Sequence, residues 1–102
     1  MVLIYGDRMA ISDLARLIKG ECGELYNELE TVFRRIKEID AEMRRAVLDG
    51  RMDDAQKFGE ELKELESRAD RLTTEVVLKC TRLPRRVEIL KKDVRSIFEK
   101  RY

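Results

Sequence analysis

IKEIDAEMRRAVLDGRMDDAQKFGEELKEL, residues 36 to 65, carries one apolar rhythm into a glycine and a second out of it. Before the glycine, Ile36, Ile39, Met43 and Ala46 step by three and four; after it, Ala55, Phe58, Leu62 and Leu65 do the same. Those steps put side chains on one face of an α-helix. Asp49-Gly50 interrupts them, and glycine takes the left-handed conformation that ends a helix. Two helices with so short a link lie antiparallel, so the stretch predicts a hairpin.

Reading outward, the first rhythm extends back through Ile11, Ala15, Ile18, Cys22, Leu25, Leu29 and Val32 without a missed step. It is a coiled-coil seam with Ala15, Cys22, Leu29, Ile36 and Met43 at the a positions. Gly20 and Gly23 weaken it near its start, each by up to ~1 kcal/mol relative to alanine. The second rhythm runs on through Ala69, Leu72 and Val76, falters at Lys79 and Cys80, and stops before Pro84. Proline cannot continue the helical hydrogen-bond ladder but suits the first turn of a new helix. Val87, Leu90, Val94 and Ile97, with Phe98 beside them, supply a third, shorter pattern.

The expectation is an all-α, coiled-coil-like three-helix bundle forming one domain over residues 1–102. A long antiparallel hairpin spans about 9–48 and 52–82, and a third helix about 85–101. Residues 1–8, which begin MVLIY, fit neither rhythm and are expected to form a non-helical arm. The third helix, turning back near Pro84, is expected to cover only the end that holds the termini. A bare seam would then remain at Leu29, Val32, Ile36, Leu62, Leu65 and Leu72. An apolar stripe of that size calls for a partner, and a homodimer pairing the two bare halves as a four-helix bundle satisfies it.

Composition narrows the chemistry. Charged residues make up 42% of the 102, and tryptophan and histidine are absent. Without histidine the usual general base and the commonest transition-metal ligand are missing, so Ser-His or Cys-His catalysis is excluded within this chain. There is no P-loop and no GxGxxG turn, and the reading is non-enzymatic. No apolar run approaches the ~20 residues that span a bilayer, and the start lacks a basic leader, so a cytoplasmic protein with no membrane insertion is expected. The net charge of +1 hides a polarity: nine basic residues face three acidic ones from Lys79 onward.

Three sets of residues are candidates for a role. Cys22 and Cys80 lie at similar distances before and after Gly50, which places both thiols near one level of the hairpin. A disulfide is open to them; so is service as two small buried hydrophobes, since cytosolic thiols usually stay reduced. Glu66 and Asp70 stand four apart on one helix, as do Glu24 and Glu28 on the facing one. Carboxylates so spaced hold a divalent metal or iron when a second helix adds oxygen ligands. Against this, acid pairs at this spacing are common in charged helices, with Arg34, Arg35, Arg68 and Arg71 near enough to neutralise them. The third set, Arg82, Arg85, Arg86, Lys91, Lys92 and Arg95, could meet nucleic-acid phosphates, although no aromatic residues for base stacking are interleaved with it.

The stretch AVLDGRMDDAQKFGEELKELESRADRLTTEVV, followed by RLPRRVEIL, resembles the PhoU superfamily, in particular its short PhoU-like branch. Glu66-Ser67-Arg68-Ala69-Asp70 matches the E-x-x-x-D motif of that group. The resemblance implies a helical regulatory or adaptor protein that binds iron or zinc through acidic motifs. It would act in phosphate-transport regulation through membrane and kinase partners. PhoU proteins usually carry two such repeats and this chain carries one, which again implies pairing of two chains. The alternatives are a dimeric structural bundle for an unspecified protein partner and a small nucleic-acid-binding protein.

Overall fold

The computed structural model describes residues 11–81 and 86–99. Within them all regular structure is helical: α1 (Ile11–Glu21), α2 (Gly23–Leu48), α3 (Met52–Cys80) and α4 (Val87–Glu99). The expected arm at 1–8, Pro84 and the outermost helical positions at 9–10, 82, 85 and 100–101 lie outside the described residues.

The hairpin of α2 and α3 is the spine. Its turn closes as the sequence predicts: Gly50 has φ +77°, the Gly50 N–H donates to the Val47 carbonyl, and the Arg51 N–H donates to the Ala46 carbonyl. This pair of bonds, with glycine in the left-handed region, is the Schellman ending, and it satisfies carbonyls the helix would otherwise leave open. Asp53 and Asp54 then occupy the first turn of α3, where the helix dipole favours negative charge. Close to the turn, Ala46 and Ala55 are both buried, so the two backbones approach each other through small residues.

One expectation is corrected. The first long helix is two helices, broken at Cys22, whose φ −141° and ψ 64° are not helical. The heptad steps pass through Cys22 unbroken, but glycines flank it on both sides within two residues and α2 begins with no side-chain cap. Helix is weak there, and the gain from tertiary packing decides the local conformation. Leaving the line of α2, α1 packs against α4 as well as the hairpin. Leu14 and Ile18 are 1% and 0% exposed in the resulting core.

A second correction concerns what the short helix covers. The main apolar cluster joins Leu14 and Ile18 of α1, Tyr26, Leu29, Val32 and Phe33 of α2, Ala69, Leu72, Val76 and Val77 of α3, and Leu90, Val94, Ile97 and Phe98 of α4. Leu29, Val32 and Leu72, expected in an open dimer seam, are thus internal to a single chain. Three-sided packing makes the difference. Tyr26 and Phe33 sit one step beside the α2 seam and point to α4, where the Phe98 ring lies 5.1 Å from Tyr26 and is stacked at 5.4 Å on Phe33. Aromatic contacts of this kind add to area burial.

Candidate functional site: the ion ladder and the cleft beyond it

The acidic and basic residues singled out in the sequence meet each other. Asp70 Oδ1 is 2.9 Å from Lys91 Nζ, and Glu66 Oε1 is 3.1 Å from Arg95 Nη2. Both pairs of residues are four apart on their own helix, and α4 runs antiparallel to α3, so the two bridges form consecutive rungs. Lys91 is held above its usual pKa by its hydrogen bond to Asp70, and the Asp70 charge adds to the effect. Arg95 also bonds Glu99 at 3.3 Å and lies 5.1 Å over the Phe33 ring. Only 28% of its side chain is exposed, so it covers the aromatic stack with its stem as well as pairing with its head.

Glu28 is likewise taken, by Arg68 at 3.1 Å, and Glu24 is exposed in the first turn of α2. No group of three or more His, Cys, Asp or Glu that could hold a metal gathers among the described residues. The four carboxylates expected to share a cation are therefore not brought together; three face a guanidinium or ammonium group instead. Of the basic set, Lys91 and Arg95 turn inward to these acids, Arg86 and Lys92 are exposed, and Arg82 and Arg85 lie outside the described residues. A continuous phosphate-binding row is not what α4 presents.

Cys22 and Cys80 are joined by a disulfide, with Cα atoms 6.0 Å apart and a sequence separation of 58. The bridge ties the α1–α2 break to the last residue of α3. Cys80 is 3% exposed, on the seam where the sequence pattern slipped.

Beside Phe98 and Glu99, the last described residues of α4, a cleft of about 620 Å³ opens over the hairpin. Phe33, Ile36, Leu62 and Phe98 give it an apolar lining, while Lys37, Lys63 and Glu99 are among its charged residues. Ile36 and Leu62 of the expected seam are half-buried here, and Leu65 is half-buried nearby. The expected seam anticipates open apolar surface at Ile36, Leu62 and Leu65, because the third helix is too short to cover the whole hairpin. It does not give the part played by Phe33 and Phe98, which line the opening through the register of α4 against α2 and α3. Among the described residues no helix is long and apolar enough to cross a membrane. No family model, curated protein or solved structure matches this chain, so the likeness to the PhoU superfamily gains no support from comparison.

Proposed function

We propose that the chain is a non-enzymatic helical adaptor that docks a helix of a protein partner in the cleft beyond α4. The observation that carries this reading is that α4, over its described residues to Glu99, covers only one half of the hairpin groove. The same groove continues as the cleft, with Ile36 and Leu62 half-buried at its floor. The cleft is lined on α2 from Phe33 to Asp40, about 10 Å of helix, which matches two turns of a docked helix. A second amphipathic helix laid in line with α4 would bury those side chains as α4 buries Phe33. The regulatory link to phosphate transport rests on the E-x-x-x-D resemblance alone. Its metal component loses ground, because Glu66 and Asp70 serve to hold α4.

The chain has no tryptophan, so a tryptophan placed on the apolar face of an amphipathic helical peptide is a clean reporter. Its emission should shift to the blue as protein is added, and Leu62→Glu should suppress the shift while far-ultraviolet helicity is kept. An unshifted spectrum, or one indifferent to Leu62→Glu, would count against docking in this cleft.

A further inference from the structure

We infer that the partner helix is acidic: an amphipathic helix whose apolar face is flanked by Glu or Asp, recognised by Lys37 and Lys63 from opposite sides of the cleft. The inference rests on the docking reading above and specifies its partner.

The argument is one of which charges are already spent. Around the cleft, Glu66 and Glu99 are both engaged by Arg95, and Asp40 pairs with Arg44 of the next turn at 3.1 Å. Lys37 comes from α2 and Lys63 from α3, so they stand on the two walls, and both are exposed. Among the described residues neither has a carboxylate within ion-pair distance. Arg95 carries one charge against Glu66 and Glu99, so with Arg44 included the cleft keeps a surplus of one positive charge, with Lys37 and Lys63 the basic groups left unpaired on the two walls. Phe33, Ile36, Leu62 and Phe98 supply the apolar contact between them.

The mode of recognition already exists once in the molecule. In the adjoining half of the groove, α4 seats its apolar face on α2 and α3 and pairs its flanking charges with the wall of α3. There the wall is acidic at Glu66 and Asp70 and the seated helix is basic at Lys91 and Arg95. In the cleft the unsatisfied wall charges are reversed, so a helix copying the α4 geometry needs acidic flanks. Rim charges of this type govern encounter and partner choice more than total affinity. A second copy of this chain fits less well, since the same Lys37 and Lys63 would be presented by both faces.

Two labelled peptides of about four helical turns, identical on the leucine-bearing face, test the inference. One carries Glu at the flanking positions and the other Lys, and binding is followed by fluorescence anisotropy at low and high salt. The wild-type chain should bind the Glu peptide about tenfold more tightly at low salt, a preference that shrinks as salt screens the rim. Lys37→Glu/Lys63→Glu, at exposed positions that leave the core alone, should reverse the preference. Equal binding of both peptides by the wild-type chain would overturn the acidic partner yet leave helix docking intact. Failure of either peptide to bind would remove the docking reading with it. If light scattering instead gave a dimer that Lys37→Glu/Lys63→Glu dissociates, the cleft would belong to a second copy, and the inference would be overturned.

Discussion

Opening the Cys22–Cys80 bridge tests the energetics of the fold most severely. The disulfide closes a loop over a sequence separation of 58. In the chain-entropy account its loss frees the unfolded ensemble and costs the folded state about 4 kcal/mol. A small domain holds only ~5–15 kcal/mol in total, so this is a large share of its stability. The loss should be felt first at α1, because the bridge anchors a junction with glycines on either side and no side-chain cap on α2. Urea unfolding followed by circular dichroism at 222 nm measures it, comparing the oxidised chain, the chain in a dithiol reductant, and Cys22→Ala/Cys80→Ala. With a urea dependence of ~1–3 kcal/mol per molar, the midpoint should fall by roughly 2 M in both perturbed forms. Midpoints that coincide with that of the oxidised chain would refute the reasoning, as would two titratable thiols in the untreated native protein.

The remaining predictions concern α4. Phe98, fully buried between Tyr26 and Phe33, should cost about 3–5 kcal/mol when cut to alanine, read as a lowered urea midpoint; a change under about 1 kcal/mol would mean the stack is not formed. Lys91 should lose its proton above its usual value of 10.5 because Asp70 holds the charged form. Its contribution to stability is therefore complete below the unfolded pKa and is lost as pH rises through the higher folded one. NMR titration of the Lys91 side chain should show the raised midpoint, and Asp70→Asn should bring it down; a midpoint unmoved by Asp70→Asn would contradict the rung.

Much of the spine is written locally. The Gly50 turn needs only a left-handed residue after a helical run, and the end of α3 at Cys80 follows from the loss of pattern before Pro84. Bringing Cys22 to the level of Cys80 needs only counting from the turn. The break at Cys22 was not legible, because the apolar steps cross it and only the packing of Leu14 and Ile18 against α4 favours leaving the line of α2. For the same reason Tyr26 and Phe33 fall outside the apolar rhythm of the hairpin: a two-helix seam has no use for their face, whereas a third helix does. Glu66, Asp70, Lys91 and Arg95 were visible as two separate charged sets. What joins them is the register of α4 on α3, and no spacing within either helix reveals it.

The bridge also bears on where the chain works. Disulfides persist in oxidising compartments and are rare where thiols are kept reduced, so the bridge and the expected cytoplasmic setting pull in opposite directions. Trapping the cysteines with an alkylating reagent at the moment of cell lysis reads their state directly.

The central claim is that the groove beyond α4 receives a helix, and the most direct measurement is a map of backbone amide NMR shifts while a Glu-flanked amphipathic helical peptide is added. The account predicts changes concentrated at Phe33, Ile36, Lys37, Leu62, Lys63 and Phe98, with the outer face around Arg68 and Arg71 undisturbed. Shifts centred on that outer face, or none at saturating peptide, would contradict it.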